Sequence, residues 1–177
     1  AVDESLPQDG QGQGGSSQGG SSKEQSEKEQ NASRATEELT VALKEQIDQG
    51  LIEVEQRDGK VFVTVGSGGA FPSGTADLTG EAQRIMDRIA LTAMSPDSSI
   101  TVTGHTDDVP ISNGQFRDNW DLGAGRAASV VQAIQSTGLI SGDRLSAVSK
   151  GEMAPLADNN TAAGREQNRR IEIEISY

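Results

Sequence analysis

Apolar positions along this chain fall into two rhythms, one of period two and one of three to four residues, and residues 1–30 show neither. Leu51-Ile52-Glu53-Val54-Glu55-Gln56 and Val61-Phe62-Val63-Thr64-Val65 alternate on either side of Arg57-Asp58-Gly59-Lys60. Alternation sends successive side chains to opposite faces, and Asp-Gly suits the positive φ angles of a tight turn, so this stretch predicts a β-hairpin. Ser99-Ile100-Thr101-Val102-Thr103, the region Leu145 to Ser149 and the closing Ile171-Glu172-Ile173-Glu174-Ile175 predict three further strands. Gly66-Ser67-Gly68-Gly69 reads as a break after the hairpin.

The slower rhythm predicts helices. Ala82, Ile85, Met86 and Ile89 share one face of a helix from about Thr79 to Met94. Leu122, Ala127, Val130, Val131 and Ile134 share one face of a second, which Asn119 or Asp121 would cap and Gly138 would end. A single turn is expected near Ala162 to Gln167. From Ala32 to Ile47, the positions Ala35, Leu39, Ala42 or Leu43 and Ile47 predict an amphipathic helix that stops at Gly50. Such a helix either packs on its own domain or connects to it reversibly. The order β-β-α-β-α-β-(α)-β predicts an α+β fold in which a mixed β-sheet carries its helices on one face. The expected divisions are a flexible linker over 1–30, an amphipathic connecting helix over 31–50 and one domain over 51–177.

Composition supports the first of these. Residues 1–30 are rich in Gly, Ser and Gln and almost free of aliphatic residues, so they cannot bury enough apolar surface to offset the entropy of ordering. The formal net charge of −12 lacks the basic footprint of a nucleic-acid binder. With no cysteine, disulfides and thiolate metal sites are excluded. No apolar run approaches 18 residues and no initiating Met or signal pattern is present, so the chain is expected to be a processed or excised part of something longer.

The candidate chemistry lies at element ends. Asp107 follows a strand within Gly104-His105-Thr106-Asp107; a carboxylate there caps a turn or faces a ligand. Arg126 lies in the second turn of a helix, where its charge gains nothing from the positive end of the helix dipole. It is a solvated surface residue, or it partners an anion held at the helix start, where free N–H groups and a guanidinium fork make a carboxylate site. Arg169 and Arg170 open the last strand and must point to opposite faces, so one alone can serve a pocket. Arg165 is either a third contributor or a plain solvated charge. His105, the single histidine, is expected to be a satisfied strand-end imidazole, and Trp120 a core or rim anchor with glycan stacking as the alternative. Nothing here resembles a nucleophile elbow, a metal cluster, a divided pair of catalytic carboxylates or a phosphate loop, so the expectation is a protein that is not an enzyme and needs no cofactor or metal.

Three segments, Gly104-His105-Thr106-Asp107, Asn119-Trp120-Asp121-Leu122 with Arg126, and Gly164-Arg165-Glu166-Gln167-Asn168-Arg169-Arg170, together resemble the signature of OmpA-like peptidoglycan-binding domains. The wording from Thr106 through Val109-Pro110-Ile111 to Asn119-Trp120, and the lengthened loop it forms, look closest to the stator B subunits of flagellar motors, MotB and PomB. That resemblance covers roughly residues 50–177 and implies peptidoglycan binding by Asp107, Arg126, Asn119, Arg169, Thr106 and Leu122. Asp107 would meet the ammonium of diaminopimelate or a nearby group of the stem peptide, and N-acetylmuramic acid is the alternative ligand. Arg169 would face the pocket and Arg170 would make structural ion pairs. It further implies the periplasmic part of an inner-membrane protein, a homodimer, and a stator A subunit as partner through a transmembrane helix outside this chain. The other implied role is a general tether of the OmpA or Pal kind. Two departures stand out: Gly123 replaces the usual Ser, and Phe71-Pro72-Ser73-Gly74 lacks an Asp carried there by outer-membrane relatives.

Overall fold

The computed structural model describes residues 18–177. Strands β1 (Ile52–Arg57), β2 (Lys60–Gly66), β3 (Ser99–His105), β4 (Leu145–Gly151) and β5 (Arg170–Ser176) form one sheet in the order β1-β2-β5-β3-β4. β3 and β4 run parallel and every other neighbouring pair is antiparallel. The expected hairpin turns through Asp58 and Gly59, both at positive φ (52° and 71°). The helices are α1 (Gln18–Ala42), α2 (Lys44–Asp48), α3 (Ser67–Ala70), α4 (Gly80–Thr92), α5 (Asn119–Ser136) and α6 (Ala162–Asn168). Alternate residues of the central strands, Val61, Val63, Val65, Ile171, Ile173, Ile175, Ile100 and Val102, are buried in one cluster with Ile85, Met86 and Ile89 of α4 and Val130 and Ile134 of α5. This is the mixed α+β architecture expected from the periodicity.

Helix α1 begins well inside the segment expected to be linker; the remainder of that segment, residues 1–17, lies outside the described residues. Two causes extend it. Ala32, Ala35, Leu39 and Leu43 are fully buried against the domain, and this docked stretch removes the nucleation cost for turns added before it. The added turns carry Lys23, Glu24, Glu27 and Lys28, good helix formers that stay exposed, and Gln56 of β1 donates to the Glu29 carbonyl at 3.3 Å. The amphipathic stretch itself is packed on the domain.

Two local expectations change. Asp118 caps α5, accepting from the Asp121 N–H at 2.9 Å, so neither Asn119 nor Asp121 fills that role. The glycine-rich break after β2 contains one helical turn, α3, that opens with Ser67.

The join between β3 and α5 is unusually close. A Cβ on Gly104 would stand 2.1 Å from the Gly123 carbonyl oxygen, and one on Gly123 would stand 2.5 Å from Ser149 Oγ. Gly104 is therefore the residue that lets strand and helix backbones meet, and a Ser at 123 would require the Ser149 hydroxyl to move from the Trp120 carbonyl to which it donates at 2.8 Å. Beside this contact the β3–β4 register shifts between Gly104 and His105, a bulge that turns the chain toward Thr106 and Asp107.

Candidate functional site

At the β2, β3 and β5 ends beyond this contact lies a cleft of about 570 Å³. Asp107, Asn119, Leu122, Arg126 and Arg169 all line it, so five of the six residues singled out from sequence come together. Thr106 is buried and does not line the cleft; its hydroxyl donates to the Asp107 carbonyl at 2.8 Å and its N–H to the Gly151 carbonyl, which fixes the loop.

Asp107 both shapes its turn and faces the cleft. Its Oδ1 accepts from the Val109 N–H at 3.1 Å, while Oδ2 accepts from Arg169 Nη1 at 2.6 Å. The Asn119 amide donates to the carbonyls of Asp107 and Val109 at 3.2 and 3.1 Å, tying the first turn of α5 to the loop. Alternation sends Arg170 to another environment: it is buried, donating to Glu172 at 2.9 Å and to the carbonyls of Asn168 and Ala154. Glu172 also lies 3.2 Å from His105 Nε2; the His105 imidazole and Arg170 hold its carboxyl down at about 2, against the cost of its partial burial. The imidazole expected to be satisfied is so only in part: Nε2 meets Glu172 away from ideal hydrogen-bond alignment, and Nδ1 has no partner.

Arg126 is only 4% exposed, far from a solvated surface arginine. Its Nε donates to the Thr75 carbonyl at 2.8 Å and its guanidinium stacks 4.9 Å from the Phe71 ring centre. Burial above all, then the Arg169 charge, pulls its pKa down to about 10, with Asp107 opposing. A guanidinium so placed has been stripped of water, and an arriving carboxylate restores what it lost.

Sequence reasoning missed two lining residues or undervalued them. Ser67 looked like part of a loop break, yet its Oγ is buried without a hydrogen-bond partner. Arg165 reaches the cleft as well, its Nη1 donating to the Asn159 carbonyl at 2.9 Å. Trp120 is 47% exposed, a rim residue outside the cleft lining. A larger cavity, about 1010 Å³, opens beside α2, β1 and α6, but its one arginine, Arg170, is already paired with Glu172. Among the described residues no group of three or more His, Cys, Asp or Glu side chains could hold a metal, and no helix is long and apolar enough to cross a membrane.

Comparison with known proteins finds relatives of this fold. Motility protein B of Bacillus subtilis is 32% identical over 70% of this chain and 48% of its own length, and motility protein B of Helicobacter pylori is 31% identical over 82% and 56%. The chain thus spans about half the length of these curated relatives. Among solved structures, the cell wall anchor of the T6SS from Pseudomonas aeruginosa superposes with a TM-score of 0.72 at 31% identity, covering 78% of this chain and 96% of that one. A MotB-like protein from Desulfovibrio vulgaris gives 0.75 at 27% identity, covering 86% and 94%. The OmpA family model matches residues 70–169, ending on the cleft arginine Arg169, and with more than half of its length so matched the chain belongs to the OmpA family.

Proposed function

We propose that this chain is a non-catalytic peptidoglycan anchor in the periplasm, and that it holds a flagellar motor stator against the cell wall. The observation that carries the binding reading is the pairing, within one cleft, of the Asp107–Arg169 ion pair with the water-stripped Arg126. A carbon bearing both an ammonium and a carboxylate, as at the end of diaminopimelate in a peptidoglycan stem peptide, meets both charges at once. Its ammonium joins Asp107 and its carboxylate joins Arg126. N-acetylmuramic acid offers a carbonyl and hydroxyls but no ammonium for Asp107, which favours the peptide.

The stator role is supported by the similarity to the two motility B proteins and by the long loop between Asp107 and Asn119. It brings with it a stator A subunit as partner and a homodimeric B subunit. A second reading, an anchor for another envelope machine, is favoured by the near-complete coverage of the Pseudomonas T6SS anchor.

Sedimentation with purified sacculi tests the binding. Asp107→Asn should lose most co-sedimentation while the wild type retains it, and equal pelleting of the two would overturn the proposal. Exchanging this chain for the matching segment of a stator B subunit tests the second step: restored swimming supports the stator, whereas wall binding without swimming favours another machine.

A further inference from the structure

We infer that the cleft is built for a doubly carboxylated stem peptide, and that Arg165 with Ser67 recognises the second free carboxylate. This rests on the peptidoglycan reading and goes beyond it in naming the ligand's charge state.

The charges lining the cleft do not balance. Arg126, Arg165 and Arg169 line the cleft, and Asp107 is the single carboxylate among the lining residues. The stretch Phe71 to Gly74, which forms part of the same wall, adds no acid. Asp107 is already matched by Arg169 at 2.6 Å, so the other two guanidiniums have no carboxylate partner in the wall. Arg126 spends Nε on Thr75, and Arg165 spends Nη1 on Asn159, both neutral carbonyls. A plain zwitterion adds one charge of each sign and leaves the excess of two positive charges unchanged. A ligand with one ammonium and two carboxylates reduces it.

Ser67 is the independent second sign. The residue lines the cleft and its Oγ is buried and unpartnered, while its backbone N–H donates to the Arg169 carbonyl at 2.9 Å and holds it at the β5 end. A buried hydroxyl left without a partner is costly, and a carboxylate oxygen satisfies it directly. Stem peptides differ in this very chemistry: their side carboxyls occur free or amidated. An amide has the shape of the carboxylate, lacks its charge, and presents N–H donors to guanidiniums that accept nothing.

The test uses synthetic muramyl tripeptides ending in diaminopimelate, either with all carboxyls free or with one carboxyl amidated at a time, titrated into the whole chain by calorimetry. The wild type should bind the free form at least tenfold more tightly than one of the amidated forms. Arg165→Gln should weaken the free form to the level of that amidated form and abolish the discrimination. Ser67→Ala should reduce the ratio several-fold with no loss of thermal stability, because the hydroxyl it removes bonds nothing. Equal affinity of the wild type for free and amidated peptides, or discrimination that survives in Arg165→Gln, overturns this inference and leaves the anchoring role standing. Absence of binding to every peptide and to sacculi overturns the anchoring role itself.

Discussion

Replacing Gly104 by Ala strikes the contact on which the cleft is assembled. The new Cβ would lie 2.1 Å from the Gly123 carbonyl oxygen and 2.8 Å from its carbon. Close carbon–oxygen contacts between backbones settle at about 3.3–3.6 Å, so strand and helix must separate by roughly 1 Å. Both atoms belong to backbone in regular structure, and neither can swing aside. Overpacking of this kind costs about 1–3 kcal/mol. The separation also acts on the Asn119 bonds to Asp107 and Val109, at 3.2 and 3.1 Å already near the long end, and a further 1 Å breaks them at about 1 kcal/mol each. The expected loss is therefore about 3–5 kcal/mol in urea denaturation, together with loss of sacculus binding because Asp107 and Arg126 no longer share one geometry. Gly125→Ala is the internal control. On the same helix its Cβ meets the Phe116 ring at 2.9 Å, a side chain that can give way, and the helix gains from the substitution, so the cost should stay below about 1 kcal/mol. Gly104→Ala that is as stable as wild type and still binds sacculi would refute the account of a backbone contact organising the site.

Leu39→Ala should cost about 2–5 kcal/mol in the same assay, since Leu39 is wholly buried between α1 and the domain; a change under 0.5 kcal/mol would show that α1 is not part of the cooperative unit. Removing residues 1–30 should leave sacculus binding within twofold, because the described part of that segment is exposed and far from the cleft lining. Glu172, held at about 2 by His105 and Arg170, favours the folded state above its ordinary 4.5, and that contribution fades as pH falls from 4.5 toward 2. Glu172→Gln should accordingly flatten the acid limb of a stability-versus-pH curve over that window, and an unchanged limb would count against the assignment. Arg126→Ala should lose binding and, unlike a surface change, also lose about 1–3 kcal/mol through the vacated packing against Phe71.

What could be read from sequence was whatever depends on neighbours along the chain. The Asp58-Gly59 turn, the period-two strands and the opposite destinations of Arg169 and Arg170 follow from local geometry, and the structure shows each of them. The cap of α5, expected at Asn119 or Asp121, lies one or three residues earlier because Asp118, Asn119 and Asp121 are all competent caps, and only the fold gives the Asn119 amide other work. The helical state of residues 18–30 was illegible for a different reason. Composition says whether a segment can build a core, not whether a neighbouring docked helix will propagate through it. For Arg126 the sequence left a solvated residue and an anion partner both open, because the wall that covers it, Phe71 and the loop through Thr75, arrives from about fifty residues away. Ser67 and Gly104 likewise take their meaning from partners distant in sequence.

The hairpin tip at Gly59 sits against Lys28 and Glu29 of α1, while the cleft opens at the other end of β2 and β5. A seven-residue strand spans about 23 Å, so the chain enters at one end of the sheet and the cleft lies at the opposite end. For an anchor this fixes the direction of load. Tension between the incoming chain and the wall falls first on the docked face of α1, where Ala32, Ala35, Leu39 and Leu43 are buried, because the covalent chain re-enters the sheet only at Ile52, paired with Val65 at the cleft end. With α1 pulled away, both points of load would lie at the same end of the sheet, and β1 would peel from β2 one hydrogen bond at a time. The docking of α1 is thus a mechanical property: it keeps the load spread along the domain.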